Sequence, residues 1–215
     1  MSELIKRLFT SIILITLLLL SILNIYALTT LLIICFYQII YEFYFLLKRI
    51  IKEKEKFKLF LLILITIVYI GYFNIKIFIT FLNNNSLELL LLYFIISTCI
   101  LTDIGGYIFG KIFKGKKLTK ISPNKTYSGM IGSFILSLVF TIIFFKNYLD
   151  IERIIMMSFV ISSVSQIGDI FISYLKRKAK IKDTGKILPG HGGILDRLDG
   201  FLFAILYFYT LSFFY

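Results

Sequence analysis

Long apolar runs separated by short polar segments dominate the pattern of this 215-residue chain. A run of about 18 or more apolar residues can cross the hydrocarbon core of a bilayer as a helix. The pattern therefore predicts an all-α, polytopic bundle of about seven transmembrane helices, with a range of roughly six to eight. The predicted spans are 8–26, 28–47, 59–72 extended to 82, 87–102, 129–145, 151–174 and 198–215.

The start of the chain is open to more than one interpretation. Residues 1–7 followed by the apolar run 8–20 resemble the beginning of a signal peptide, but a small-residue cleavage site is missing. We therefore expect a retained first helix. The break at 24–30 is weak, so the first 50 residues form one, two or three membrane-embedded elements.

Positive charge predicts the orientation of the helices. Of the 24 Lys and Arg residues, all but Lys76, Lys146 and Arg153 fall in the segments 1–7, 48–58, 105–127 and 176–200. Cytoplasmic loops carry an excess of Lys and Arg. The pattern thus predicts a cytoplasmic N-terminus and a multi-pass protein of the cell (inner) membrane, in contact with membrane lipids.

Composition supports the membrane assignment, because 59% of the residues are hydrophobic and the mean hydropathy is +0.91. Both cysteines, Cys35 and Cys99, lie inside apolar runs. With no CxxC motif and no Cys/His cluster, disulfide and zinc sites have little support.

Unusual residues concentrate in the polar segment 173–199. It contains the only histidine, His191, within the run Pro-Gly-His-Gly-Gly at 189–193. Backbone N–H groups in such a turn can form an anion-binding concavity. Asp196 and Asp199 follow three residues apart, a spacing that shares one face of a helix and suits a hard cation such as Mg²⁺.

Two further carboxylates interrupt or end apolar runs. Asp169 lies within the run 151–175, and Asp103 lies at the end of the fourth predicted span. An ionisable residue at membrane depth is by default a functional candidate. The alternative is a carboxylate near a helix end that meets water or pairs with a lysine.

The polar segment 105–127 places lysines beside Gly, Ser and Thr, ending in Ser122-Pro-Asn-Lys-Thr126. Such residues suit phosphate oxygens, although the segment is not a Walker A loop. Together the two segments predict a cytoplasmic site that handles a polyphosphate and a lipid headgroup, with Mg²⁺ held by carboxylates. We find no Ser/His/Asp or Cys/His nucleophile set, and no nucleic-acid partner is expected.

The ordered motifs resemble a known family. Ser173-x-x-Lys-Arg, then Lys182-Asp183, then Pro-Gly-His-Gly-Gly at 189–193, then Asp-Arg-x-Asp at 196–199 resemble the signature of the phosphatidate cytidylyltransferases, or CDP-diacylglycerol synthases. Gly168-Asp169 and the segment 103–126 are similar to motifs that precede that signature. The resemblance covers about residues 97 to 200.

The resemblance implies that a phosphate oxygen of phosphatidate attacks the α-phosphorus of CTP, giving CDP-diacylglycerol and pyrophosphate. It implies Mg²⁺, with K⁺ associated with the same centre, and Asp169 and Asp196 as metal ligands. The implied catalytic residues are Asp169, Lys176, Arg177, Asp196, Arg197 and Asp199. The implied substrate-binding residues are Asp103, Lys111, Ser122, Pro123, Lys125, Thr126, Ser173, Lys182, Asp183, His191, Gly192 and Gly193.

The chain departs from the family pattern at two positions where a glutamate is common, and these hold Ser128 and Ile172. Each change removes a carboxylate from near the implied site. We expect a reduced but active member, since the carboxylates and basic residues of the long signature are present.

We predict an N-terminal scaffold over 1–86 and a catalytic domain over 87–215, with loops at 105–127 and 176–200. A CTP-dependent lipid kinase of the polyprenol or phytol type is the nearest alternative. A transporter would instead favour charges through both leaflets and inverted repeats, and a non-catalytic scaffold would tolerate loss of Asp169 and Asp196. Homodimer formation is left open.

Overall fold

The computed structural model describes residues 3–119, 121–190 and 192–211, and all side chains in these ranges except those of 3–9, 11, 15 and 207–211. Throughout this part of the chain the regular structure is helical, which confirms the all-α prediction. The helices are α1 Glu3–Leu23, α2 Ile25–Ile50, a short 3₁₀ helix Glu53–Glu55, α3 Lys56–Asn83, α4 Ser86–Phe113, α5 Tyr127–Phe145, α6 Ile151–Lys178 and α7 Leu195–Leu211.

Among the described residues, five helices are long and apolar enough to cross a membrane. They correspond to α2, α3 with its preceding 3₁₀ turn, α4, α5 and α6. The chain is thus an integral membrane protein, as predicted. The described part of α1 contributes a shorter apolar stretch, Ile12–Leu23.

Side-chain caps explain several helix ends. Asn24 lies between α1 and α2, and its side chain caps α2 by accepting a hydrogen bond from the Tyr26 N–H at 2.8 Å. Asn84 ends α3 in the left-handed region, which asparagine tolerates better than most residues. Thr126 begins α5 by accepting from the Gly129 N–H at 3.1 Å.

One predicted span is confirmed and one predicted boundary differs from the structure. The apolar stretches 59–72 and 75–82 belong to one continuous helix, α3, as the predicted extension to residue 82 required. Helix α4 continues to Phe113, so residues 105–113 are helical and the predicted loop begins later. Gly105, Gly106 and Gly110 lie within α4 without ending it. They form the surface on which α5 packs, and this packing stabilises the helix.

Close contact between α4 and α5 depends on those small residues. A Cβ added to Gly105 would lie 2.6 Å from the Gly132 carbonyl oxygen, and one added to Gly129 would lie 2.7 Å from the Gly106 carbonyl oxygen. In a membrane, small residues let two helix backbones approach closely. The van der Waals contacts made in this way stabilise the helix pair where the hydrophobic effect does not.

Hydrogen bonds between α4, α5 and α6 add to this packing. The Thr102 hydroxyl donates to Ser162 Oγ at 3.0 Å, and the Ser133 hydroxyl donates to the Thr102 carbonyl at 2.6 Å. The hydroxyls of Thr141 and Ser158 lie 2.7 Å apart. These buried hydroxyl groups between the helices therefore satisfy one another or a backbone carbonyl.

The chain forms two compact units. The first unit comprises Met1–Asn85 with Leu175–Leu198, and the second comprises Ser86–Tyr174 with Asp199–Tyr215. The first unit thus combines the N-terminal helices with most of the second polar segment. The predicted functional division at residue 86 stays a prediction.

Candidate active site

The first unit contains a buried ion pair between the end of α6 and the start of α7. Lys176 Nζ donates to Asp196 Oδ1 at 2.7 Å, and the two side chains are only 11% and 5% exposed. The structure thus brings together two residues that the sequence predicted to be catalytic.

The other oxygen of Asp196 is also fully engaged. Oδ2 accepts from the Thr184 N–H at 2.8 Å, the Thr184 hydroxyl at 3.0 Å and the Gly193 N–H at 2.9 Å. Burial alone would raise the pKa of Asp196, but the hydrogen bonds from Lys176, Gly193 and Thr184 and the Lys176 charge together lower it. Asp196 is therefore held ionised, as a metal ligand must be.

Three glycines make room for carboxylates in this unit. Gly192 has a φ of +85°, and a Cβ there would lie 2.6 Å from Asp196 Oδ2. A Cβ on Gly185 would lie 2.7 Å from Glu42 Oε1, and a Cβ on Gly193 would overlap Glu42 Oε2. Within the turn 189–193, which was predicted to bind an anion, the Gly193 N–H donates to Asp196 and the Gly192 N–H donates to the Leu188 carbonyl.

The turn from Leu188 to Gly192 is closed by backbone hydrogen bonds. Leu188 and Gly192 exchange two backbone hydrogen bonds, of 2.9 and 3.1 Å, and Gly190 has a φ of +79°. The predicted binding residue His191 lies outside the described residues.

Glu42 on α2 is a residue that our sequence interpretation missed. Its side chain is 1% exposed. It accepts from Gln38 Nε2 at 2.8 Å, the Thr184 hydroxyl at 2.7 Å, and the N–H groups of Ile194 and Leu195 at 3.0 and 2.9 Å. The signal was available, since Glu42 interrupts the apolar run 28–47 as Asp169 interrupts a later one.

The second unit contains another ion pair. Lys125 Nζ donates to Asp169 Oδ2 at 2.8 Å, with the side chains 29% and 16% exposed. Lys125 is placed by a turn in which its N–H donates to the Ser122 carbonyl at 3.1 Å, while its carbonyl accepts from Leu118 N at 2.8 Å. The Ser-Pro-Asn-Lys-Thr segment is therefore ordered and delivers its lysine to a predicted metal ligand.

The remaining oxygen of Asp169 is buried and has no hydrogen-bond partner among the described residues. It faces α7, because a Cβ added to Gly200 would lie 3.1 Å from Asp169 Oδ1 and would overlap Ser165 Oγ. Nearby, Asp199 is 9% exposed and accepts from the Gly200 N–H at 3.1 Å. A buried carboxylate oxygen without a donor is uncommon and fits a cation ligand.

Among the described residues, no three His, Cys, Asp or Glu side chains are grouped closely enough to hold a metal ion together. Mg²⁺ keeps several of its waters and often takes only one or two protein carboxylates. The open oxygen of Asp169 is therefore compatible with Mg²⁺, whereas both oxygens of Asp196 already accept hydrogen bonds from the chain.

A cavity of about 440 Å³ lies in the first unit beside the end of α2. Its cationic lining residues are Arg49, Lys182 and Lys186. Lys182 and Asp183, both predicted to bind substrate, are thus exposed at a basic cavity that suits an anionic ligand.

The other predicted residues occupy more open positions. Lys111 lies in the last turn of α4, with Nζ 5.7 Å from the centre of the Tyr107 ring. Arg177 donates to the Ile181 carbonyl at 3.4 Å. The exposed predicted residues are Asp103, Lys111, Pro123, Arg177, Lys182, Asp183 and Arg197, whereas Ser122, Thr126 and Ser173 are half-buried.

The two departures from the family pattern are accommodated without a carboxylate. The Ser128 hydroxyl donates to the Lys114 carbonyl just after α4 and lies 3.0 Å from the Thr126 hydroxyl. Ile172 is only 3% exposed, on α6. Both side chains serve packing or loop structure at these positions.

Comparison with known proteins agrees with the motifs. The model of the cytidylyltransferase family matches residues 2–215. A phosphatidate cytidylyltransferase of Staphylococcus haemolyticus is 47% identical over 109 residues, covering 49% of this chain and 42% of that protein. Those of Rickettsia bellii and Bacillus subtilis are 44% and 41% identical, covering 60% and 61% of this chain and 61% and 51% of the relatives.

The chain therefore spans about half the length of the curated relatives it matches. The family model, in contrast, extends over nearly every residue of the chain. On this match, together with the ordered motifs, the chain belongs to the cytidylyltransferase family.

Proposed function

We propose that this protein transfers the cytidylyl group of CTP to phosphatidate, giving CDP-diacylglycerol and pyrophosphate in phospholipid biosynthesis. The observation that carries the proposal is the pair of lysine–carboxylate contacts, Lys125–Asp169 and Lys176–Asp196. They join positions that the family resemblance assigns to metal and phosphate binding. The names of the similar bacterial proteins support the same substrates.

In the proposed reaction, a phosphate oxygen of phosphatidate forms a bond to the α-phosphorus of CTP. The bond from that phosphorus to the bridging oxygen of the β-phosphate breaks, and pyrophosphate leaves with the electron pair. Such transfers need mainly positioning and neutralisation of charge from the protein. The lysines of the two contacts suit this role, because each places an ammonium group beside a candidate metal ligand.

We propose Mg²⁺ as the cofactor, with carboxylate oxygens from Asp169 and Asp196. A bound divalent cation would neutralise charge on the phosphates and orient them. The open, buried oxygen of Asp169 supports this assignment. Asp196 would bind the cation by exchanging a protein donor for it, since both of its oxygens already accept hydrogen bonds.

We further propose seven spans with a cytoplasmic N-terminus in the cell (inner) membrane. The asymmetry of Lys and Arg between the polar segments supports this topology. The transfer would then occur at the cytoplasmic face, where CTP is dissolved and the phosphatidate headgroup is accessible from the bilayer.

The test uses the full chain purified in detergent with phosphatidate and radiolabelled CTP. We expect labelled CDP-diacylglycerol and an equal amount of pyrophosphate in the presence of Mg²⁺, and neither product with EDTA. A reaction with diacylglycerol in place of phosphatidate is the control and should give no CDP-lipid. No product at any Mg²⁺ concentration would overturn the proposal, and release of CDP with a phosphorylated lipid would indicate a kinase.

A further inference from the structure

Glu42 is an acidic side chain buried on a helix that is long and apolar enough to cross a membrane. Burying a carboxylate is costly unless its oxygens are hydrogen-bonded. Each Glu42 oxygen has two donors: Oε1 accepts from Gln38 Nε2 and the Ile194 N–H, and Oε2 from the Thr184 hydroxyl and the Leu195 N–H. These donors are uncharged, so the site is built from dipoles.

Two of these donors are the backbone N–H groups at the beginning of α7. The first N–H groups of a helix have no partner within the helix, and negative charge near them is stabilised by the helix dipole. Glu42 therefore caps α7 from a distance of more than 150 residues along the chain. The preceding N–H, of Gly193, donates to Asp196, so the two carboxylates divide three consecutive N–H groups.

Thr184 links the same two carboxylates directly. Its hydroxyl oxygen lies 2.7 Å from Glu42 Oε2 and 3.0 Å from Asp196 Oδ2. A hydroxyl has one proton to donate, so the two carboxylates compete for it. A change at Glu42 is thereby transmitted to the oxygen of Asp196 that faces Thr184.

We propose that Glu42 is a positioning residue for cytidylyl transfer, which holds the start of α7 and orients the Asp196 carboxylate through Thr184. This inference rests on the proposed function. Glu42 itself does not contact substrate in this assignment. Partners that orient a metal-ligating side chain commonly contribute a factor of about 10–100 in metal affinity or activity.

The test compares Glu42→Gln with the full-length wild type. The amide keeps the size of the side chain but directs an NH₂ group at backbone or hydroxyl donors. We expect kcat per folded enzyme to fall by about 10–100-fold, and the Mg²⁺ concentration for half-maximal rate to rise. Amides of residues 184–198 should exchange hydrogen faster, whereas the control Glu55→Gln, at an exposed residue beside Lys58, should change none of these.

Unchanged kcat and Mg²⁺ dependence in folded Glu42→Gln would overturn the proposal. So would faster exchange alone, because that result would assign Glu42 a purely structural role. If Glu42→Gln fails to fold, Thr184→Val removes the same link more mildly and should lower kcat about 3–10-fold. Wild-type kinetics in that variant would likewise overturn the proposal.

The two proposals fail in different ways. An inactive wild type would refute cytidylyl transfer. The exchange comparison does not depend on turnover, so unaltered exchange at 184–198 in Glu42→Gln would still refute the positioning of α7.

Discussion

The two lysine–carboxylate pairs are alike in chemistry and opposite in environment. Around Asp196, both oxygens are bound and the pair is almost completely buried. Around Asp169, one oxygen is bound to Lys125 and the other is buried without a hydrogen-bond partner in the described structure. The first carboxylate is integrated into the fold, whereas the second has capacity for another ligand.

The difference arises from the backbone that each carboxylate meets. Asp196 faces two loop N–H groups, those of Thr184 and Gly193. Asp169 faces α7 at Gly200, whose own N–H already donates to Asp199. A carboxylate satisfied by the protein contributes to stability as well as to chemistry, while one with an open oxygen is available mainly for chemistry.

The largest effect that we expect is on turnover, and comparing it with the effect on stability distinguishes the catalytic from the structural role of each carboxylate. We expect Asp169→Asn to lower kcat by about 100-fold or more, because a cation ligand is lost, with only a small change in the unfolding temperature. Asp196→Asn should lower turnover similarly. It should also destabilise the protein, because the new NH₂ group would face a hydrogen-bond donor where Asp196 has an accepting oxygen. Initial rates over a Mg²⁺ titration and thermal unfolding in detergent measure both quantities.

Asp150→Asn is the matched control for these variants, because Asp150 is exposed and pairs only loosely with Arg153 at 3.5 Å. It should leave rate and stability unchanged. Wild-type turnover in Asp169→Asn would show that Asp169 is not part of the site. Equal stability of Asp169→Asn and Asp196→Asn would show that the two carboxylates contribute equally to the fold.

The lysines should show the same contrast in stability. Lys176→Met leaves a buried carboxylate without its cation, and we expect the free energy of unfolding to fall by about 3–5 kcal/mol. Lys125→Met removes the partner of a less deeply buried carboxylate and should cost less, about 1–3 kcal/mol. Denaturant titration of both variants in the same detergent provides the comparison, and a larger loss for Lys125→Met would reverse our ranking of the pairs.

The smallest effect concerns the loop that carries Lys125. Thr126→Ala removes the cap of α5 and should lower the free energy of unfolding by about 1 kcal/mol. The control is Thr30→Ala, at an exposed threonine whose hydroxyl donates within its own helix to the Ala27 carbonyl. Unfolding titrations that show no difference between the variants would mean that the Thr126 cap does not order this loop.

Part of the packing was visible in the sequence but was not recognised there. Helix α5 carries Gly129, Gly132, Ser133, Ser137 and Thr141, which are all buried. Their spacing marks one face of a helix, and small residues are typical of helix contacts in membranes. Our interpretation followed the large apolar residues, which surround these helices on every side and so indicate no contact face.

The sequence by itself determined the helical membrane fold, the two polar segments and the carboxylates worth testing. These follow from local properties, since apolar length, charge and ordered motifs are read along the chain. It also placed Lys125, Asp169, Lys176 and Asp196 among the site candidates, although it did not pair them.

Only the tertiary structure decided which lysine meets which carboxylate, and that Glu42 holds the beginning of α7. The partners in these contacts are separated by 20 to 153 positions along the chain. No local pattern encodes such distances, because they depend on how helices pack. The glycines at 185, 192 and 193 show the same dependence, since what makes glycine necessary there is the carboxylate that each one faces.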